Sequence, residues 1–70
     1  MKRYVVNNNN TLNPGNHHEV HTIEHAHQLR ISNYTDLGYC SSGVEAKQKA
    51  KVYYRDADGC AICCPEAHEG

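Results

Sequence analysis

Two cysteines near the C-terminus have the spacing that indicates chemistry most clearly. Cys60 and Cys63 form a Cys-x-x-Cys unit directly after Gly59. Two intervening residues let both sulfur atoms face one metal ion at about 2.3 Å, and redox dithiols use the same spacing. A redox pair belongs at the start of a helix, but Pro65 follows Cys63 by two residues and leaves no room for that helix. The pattern therefore favours a metal site.

Two histidines supply the matching half of a tetrahedral site. His21 and His25 form a His-x-x-x-His unit, and 34 residues separate His25 from Cys60. Imidazoles at this spacing come either from one helical turn or from a strand end and the turn after it. Two thiolates and two imidazoles are an established structural zinc shell. The sequence therefore predicts one zinc ion bound by His21, His25, Cys60 and Cys63.

Other cysteines and histidines leave alternatives open. His68 could replace one of the two N-terminal histidines as a ligand. Cys64 is adjacent to Cys63 and cannot easily join the same tetrahedron, and Cys40 is expected to behave as a small buried hydrophobic residue. The remaining histidines are expected to be solvated: His17, His18 and His27.

The composition explains why a metal ion would be needed. The chain has 70 residues, with eleven Val, Ile and Leu, five Tyr, and no Phe or Trp. The mean hydropathy is −0.79. A domain of this size rarely obtains enough stability from its core alone and usually depends on disulfides, a metal or oligomerisation. A metal-stabilised single domain is the expectation.

Charge and hydropathy exclude several classes of protein. The formal net charge is −1 and the pI is about 6.6, which gives no electrostatic footprint for nucleic acid. No apolar segment of signal-peptide character precedes the polar run Asn7 to Asn10, and no stretch approaches the ~18 apolar residues of a membrane span. A cytoplasmic protein without membrane contact is expected, and in that compartment thiols stay reduced.

The elements that must position these residues can be predicted in outline. Residues 1–16 are expected to be a flexible or strand-like lead-in, with a short strand at 4–6 and a turn at Asn13 to Gly15. Residues 20–23 are β-branched apart from His21, which favours a strand, and 24–29 are expected to form a turn or a short helical turn. A further short strand is expected at 34–39.

One helix is predicted at about 42–54. Ser42 and Glu45 have the spacing of a capping box. Ala46, Ala50, Tyr53 and Tyr54 then form one apolar stripe. Residues 65–70 are expected to be a tail. The predicted fold is therefore a small α+β, zinc-stabilised domain at 17–64, with a short antiparallel sheet, this helix and a C-terminal Cys-x-x-Cys knuckle.

Residues 17–64 also resemble a set of small bacterial proteins without an assigned activity. The resemblance rests on His18-Glu19-Val20-His21, on Leu37-Gly38, on the Ala-containing helix and on Asp58-Gly59-Cys60-x-x-Cys63. The layout is similar to the metal-binding domain of Ada-type DNA-repair proteins, in which a zinc-bound cysteine accepts a methyl group from DNA. In that comparison His21, Cys60 and Cys63 match ligands, and His25 stands where a cysteine is expected.

These observations lead to one preferred function and several alternatives. The preferred hypothesis is a non-enzymatic zinc-binding module that mediates an interaction with another protein. The alternatives are a nucleic-acid-binding accessory domain, a thiol-based methyl acceptor of Ada-like type, and metal buffering by the His-rich segment.

Overall fold

A four-stranded sheet is the framework of the protein, whose computed structural model describes residues 1–9 and 17–68. The strands in this part are Lys2–Asn7 (β1), Glu19–Thr22 (β2), Tyr34–Cys40 (β3) and Asp58–Gly59 (β4). They lie in the order β3-β1-β2-β4. Two α-helices, Ile23–Gln28 (α1) and Gly43–Ala50 (α2), and the 3-10 helix Pro65–Ala67 complete the described elements. The predicted α+β class is confirmed.

The first strand lies inside the sheet. β1 pairs antiparallel with both β2 and β3, and Val5 and Val6 are fully buried. The segment that the sequence assigns to a lead-in therefore begins with a core strand. The rest of that segment, residues 10–16 with the turn predicted at Asn13 to Gly15, lies outside the described residues.

The last strand makes the sheet mixed, whereas the sequence predicted antiparallel pairing. β4 pairs with β2 in parallel, with Val20 opposite Gly59. The Asp58 amide donates to the His18 carbonyl at 3.0 Å, and the Cys60 amide donates to the Val20 carbonyl at 3.0 Å. A two-residue strand is too short for sequence periodicity to reveal. Its consequence is that Cys60 is hydrogen-bonded directly to β2.

The main helix is shorter than predicted. The sequence placed it at about 42–54, but α2 ends at Ala50, and the Tyr53 amide then donates to the Ala50 carbonyl at 2.9 Å in a tighter turn. Tyr54, whose amide also donates to the Ala50 carbonyl at 2.9 Å, stacks on the His18 ring, with centroids 3.8 Å apart. Within residues 1–9 and 17–68, no helix has the length and apolar character that crossing a membrane requires.

The two faces of the sheet are covered differently. On one face, α2 buries Ala46 and Ala50 against side chains of all three longer strands, in a cluster that comprises Tyr4, Val6, Val20, Leu37, Cys40, Ala46, Ala50, Ala57, Cys64 and Ala67. His21 is paired with Val5. Because side chains alternate along a strand, these two point to the opposite face, where α1 lies with Ala26 fully buried.

The segment predicted as a tail is partly packed. Pro65–Ala67 form the 3-10 helix, and Ala67 belongs to the core cluster. The Glu66 carboxylate accepts a hydrogen bond of 2.8 Å from the Gly43 amide. It thereby satisfies one of the amides that the first turn of α2 leaves unpaired. This long-range contact is the reason that the chain continues in ordered structure beyond Pro65.

Candidate metal centre

Four side chains from the two halves of the chain converge beside α1. One ligand atom from each of His21, His25, Cys60 and Cys63 lies within 4.8 Å of all the others. His21 is 1 % exposed and Cys60 5 %, and the other two are partly buried. The structure therefore brings together the four residues that the sequence predicted as ligands, and this group could hold a metal ion.

The two histidines are positioned by a strand-to-helix transition. His21 is the third residue of β2, and Thr22 is the N-cap of α1. The Thr22 hydroxyl accepts a hydrogen bond of 3.3 Å from the His25 amide, which fixes the first turn of α1 and His25 within it. The imidazole rings lie edge to face, with centroids 5.5 Å apart. Of the two geometries open at this spacing, the structure has the strand end and the turn after it.

The two cysteines are positioned by the tight turn that follows β4. The Cys60 amide is bonded to β2, and the Cys64 amide donates to the Cys60 carbonyl at 2.8 Å. This curl places the Cys60 sulfur 3.7 Å from Nδ1 of His25 and the Cys63 sulfur 3.8 Å from Nδ1 of His21. Each sulfur therefore faces one imidazole nitrogen, and the four atoms surround a space that could hold an ion.

The surroundings shift the pKa values of the two thiols in opposite directions. The pKa of Cys63 is lowered, chiefly by the hydrogen bond from the Cys64 thiol and further by His21 and the Thr22 amide. The pKa of Cys60 is raised, chiefly because burial disfavours the thiolate, although the amides of Cys63 and Ile62 oppose that effect. Cys63 is therefore the more readily ionised of the two thiols, and the thiolate is the form that binds metals.

The alternative ligands lie outside the group. Nδ1 of His68 is within 3.0 Å of the Gly59 carbonyl, which directs this ring to the backbone. Cys40 is fully buried in the core cluster, as expected for a small hydrophobic residue. Cys64 is also fully buried, and its sulfur lies 3.8 Å from that of Cys63. The pKa of its thiol is raised, first by that contact with Cys63 and then by burial, so Cys64 lies beside the candidate ligands as a neutral thiol.

Two of the histidines expected to be solvated are instead enclosed, and only His27 is exposed. The His18 ring stacks on Tyr54, and its Nδ1 lies 2.7 Å from the Asp56 carboxylate. His17 is 8 % exposed, and its Nε2 lies 3.7 Å from carboxylate oxygens of both Glu19 and Asp58.

Sequence reasoning missed the buried polar residues around these histidines. Lys47, on α2, is only 9 % exposed. Its ammonium group lies 3.3 Å from Asp58 and donates to the Ala67 carbonyl at 3.0 Å. The available signal was the alternation of His17, Glu19 and His21, which places their side chains on one face of an extended segment.

Comparison with known proteins adds no family. No family model, no curated protein and no solved structure matches this chain.

Proposed function

We propose that this protein is a non-enzymatic zinc-binding module in which the ion is structural and the folded surface binds another protein. The convergence of His21, His25, Cys60 and Cys63 carries the proposal. Two imidazoles and two thiolates in a tetrahedral arrangement are the donor set that zinc prefers.

The interatomic distances support a tetrahedral ion. Zinc bonds of about 2.3 Å to sulfur and about 2.0–2.1 Å to nitrogen imply sulfur-to-nitrogen edges of about 3.6 Å in a tetrahedron. The two measured sulfur-to-nitrogen distances are 3.7 and 3.8 Å. Along these two edges the ligand atoms need to move by only a few tenths of an ångström to match a zinc site, and all four lie within 4.8 Å of one another.

The number of ligands supports a structural role. Catalytic zinc sites keep a position for water or substrate, whereas structural sites use four protein ligands. With both thiolates and both imidazoles bound, a four-coordinate ion has no position left for a substrate. The ion would join the end of β2 and the start of α1 to the turn after β4, positions that are 35 to 42 residues apart in the sequence.

The small core supports the need for the ion. Its buried hydrophobic residues include five alanines and three cysteines, and Tyr4 is the one aromatic residue among them. Zinc binding in small domains supplies roughly 10–16 kcal/mol of apparent free energy, which equals or exceeds the ~5–15 kcal/mol stability of a typical domain.

We assign the protein to the cytoplasm because both thiols have to remain reduced to bind metal.

The exposed hydrophobic residues support a protein partner. Tyr39, Tyr53 and Ile62 are 66 %, 59 % and 79 % exposed. Aromatic residues are enriched at protein interfaces, and the net charge of −1 offers little attraction to phosphate. The alternative partner is a nucleic acid. It would be supported if the zinc-loaded protein bound DNA or RNA oligonucleotides with an affinity that falls steeply as salt is raised.

Native mass spectrometry of the wild type and of two histidine variants tests the metal site. The wild type is expected to carry one zinc ion and to lose its helical circular dichroism when a chelator removes that ion. His25→Ala is expected to lower zinc affinity by more than the roughly 10–100-fold that loss of an outer-shell partner causes. His27→Ala alters an exposed histidine on the same helix and is the matched control.

The outcomes of this experiment are distinct. A wild-type protein that binds no zinc, or that keeps its fold after chelation, would contradict the proposal. Equal affinities of the two variants would show that zinc binds to histidines elsewhere and would contradict the assigned ligand set.

A further inference from the structure

We propose that Glu19 is a positioning residue for the metal centre: its carboxylate holds His21 at Nε2 so that Nδ1 binds the ion. This inference rests on the proposed function, because it concerns the same ion. It assigns a role to a carboxylate outside the ligand set, and it fixes which nitrogen of His21 is the ligand.

The two nitrogens of His21 face different groups. Nδ1 lies 3.8 Å from the Cys63 sulfur, on the side where the four ligand atoms converge. Nε2 lies 3.6 Å from Oε1 of Glu19. Metal-bound histidines usually donate their other ring N–H to a carboxylate, a carbonyl or water, which fixes the tautomer and the orientation of the ring. The geometry around His21 has both halves of that arrangement.

The strand sets this arrangement. Glu19 and His21 are two residues apart on β2, so their side chains point to the same face of the sheet. The His21 side chain is 2 % exposed and that of Glu19 is 21 % exposed. An N–H group as buried as that of His21 is costly to leave without an acceptor. Glu19 is placed to accept it with little competition from water.

The second carboxylate oxygen of Glu19 faces another buried imidazole. Oε2 lies 3.7 Å from Nε2 of His17, and this nitrogen has no hydrogen-bond partner within the described residues. His17 in turn lies 3.7 Å from Asp58, the residue opposite Glu19 on β4. The carboxylate therefore lies between two buried imidazoles, next to the pairing of β2 with β4.

Binding of the ion is expected to shorten the contact between His21 and Glu19. At 3.6 Å the two atoms are within ion-pair range but beyond hydrogen-bond distance. A metal cation on Nδ1 withdraws electron density from the ring and makes the Nε2–H a stronger donor. A movement of the carboxylate by about 0.7 Å then produces a hydrogen bond of about 2.9 Å.

Zinc affinity of two glutamate variants tests the inference. The affinities of wild type, Glu19→Ala and Glu24→Ala are measured by competition with a chromophoric chelator. Glu19→Ala is expected to bind zinc about 10–100-fold more weakly, while Glu24→Ala is expected to match the wild type. Glu24 is the matched control because it is an exposed carboxylate one residue from His25. Glu19→Gln should recover part of the loss, because its amide oxygen still accepts the N–H but carries no charge.

Nitrogen NMR of the histidine rings supplies a readout that a merely structural role would not change. In the zinc-loaded wild type, His21 is expected to show a metal-bound Nδ1 and a protonated Nε2. Zinc on Nε2 of His21, or equal affinities of Glu19→Ala and Glu24→Ala in a wild type that binds one zinc, would overturn the inference and leave the proposed function standing. A wild type that binds no zinc would overturn both. If Glu19→Ala fails to fold, the inference is tested by the zinc affinity of Glu19→Gln together with the Nε2 proton signal of His21, which should shift in Glu19→Gln and stay unchanged in Glu24→Ala.

Discussion

Gly59 shows how closely the backbone approaches itself beside the metal centre. A Cβ atom at this position would lie 2.6 Å from Cβ of Ala67 and 2.8 Å from the Cys64 carbonyl oxygen. Both contacts are shorter than real Cβ atoms allow, and the carbonyl cannot move without displacing the turn that carries Cys63. The residue before the first cysteine therefore has to be glycine for reasons of space.

Gly59→Ala is expected to destabilise the protein by about 1–3 kcal/mol, as overpacking in a core does, and to weaken zinc binding because Cys60 is displaced. Gly38→Ala is the control. Gly38 adopts a φ of +76°, and a Cβ atom there would meet nothing within 4 Å. The substitution should therefore cost about 1–2 kcal/mol through backbone conformation alone. Urea unfolding and zinc competition measure both effects. Unchanged zinc affinity in Gly59→Ala would contradict the role given to the close approach.

At the scale of single residues, the sequence predicted more of the site than of its surroundings. Cys60, Cys63, His21 and His25 could be named because metal ligands have characteristic types and spacings. The roles of Cys64 and Glu19 depend on contacts across the site, which spacing does not encode. His68 remained an alternative ligand in the sequence because only the fold directs its ring to the Gly59 carbonyl.

At the scale of elements, the N-terminus of α2 has the capping residues that its sequence predicted. The Ser42 hydroxyl accepts a hydrogen bond of 3.3 Å from the Glu45 amide. The Glu45 carboxylate returns to the Ser41 amide at 2.6 Å, one residue before the partner of a standard capping box. The pKa of Glu45 is lowered, first by that amide and then by the Ser41 hydroxyl.

Ser42→Ala is expected to lower the free energy of unfolding by about 1 kcal/mol, the usual cost of removing an N-cap side chain. Ser32→Ala, at an exposed position outside the helices and strands, is the control and should have little effect. Chemical unfolding followed by circular dichroism measures the difference. Equal stabilities of the two variants would show that the Ser42 side chain does not support α2.

The pairing of β1 with β3 carries an exposed ion pair between Arg3 and Asp36. The pKa of Asp36 is lowered, first by the hydrogen bond from Arg3 and then by the Gly38 amide. A lowered carboxyl pKa in the folded state stabilises the protein above the unfolded pKa of about 3.9, and this contribution disappears as pH falls through the folded-state pKa.

Asp36→Asn is therefore expected to be less stable than wild type at pH 7, by an amount that stays constant down to about pH 5 and then shrinks. The effect should be small because both side chains are more than two-fifths exposed. Urea midpoints of the two proteins at a series of pH values, with Glu24→Gln as an exposed-carboxylate control, measure the difference. A difference that grew on acidification would contradict the assigned sign.

The remaining elements illustrate what local sequence cannot specify. α1 has six residues, with one fully buried side chain, Ala26, so its apolar periodicity is too brief to distinguish from a turn. α2 ends at Ala50, and Tyr54 stacks on His18, a residue 36 positions earlier whose contact no helical pattern contains. β4 is a strand only because β2 lies beside it.

At the scale of the whole molecule, the four residues of the candidate metal centre meet the α2 core along β2 and at Cys63, which packs against the α2 cluster. Val20 packs in the α2 cluster, and its neighbour His21 faces the metal centre. β2 therefore transmits the effect of one face to the other. The order β3-β1-β2-β4 could not be read from the sequence, since it depends on long-range pairing, yet the adjacency of β2 and β4 is what brings the segments with the two ligand pairs together.

This coupling predicts that the stability of the entire domain follows the concentration of free zinc. A ligand that binds only the folded state stabilises it by about 2.7 kcal/mol at 100 times the Kd and about 4.1 kcal/mol at 1,000 times the Kd. For a domain of this size, 1 kcal/mol shifts Tm by about 4–8 °C. Each tenfold increase in free zinc above the Kd should therefore raise Tm by roughly 5–10 °C.

Thermal unfolding in zinc buffers, followed by circular dichroism and tyrosine fluorescence, measures this dependence. The two signals should change together, because Tyr4 and α2 lie in the cluster that β2 joins to the metal centre. His25→Ala should show no dependence over the same range, and Ca²⁺, which selects oxygen ligands, should not replace zinc. A Tm that is independent of free zinc, or a helical signal that melts separately from the tyrosine signal, would show that the sheet does not couple its two faces.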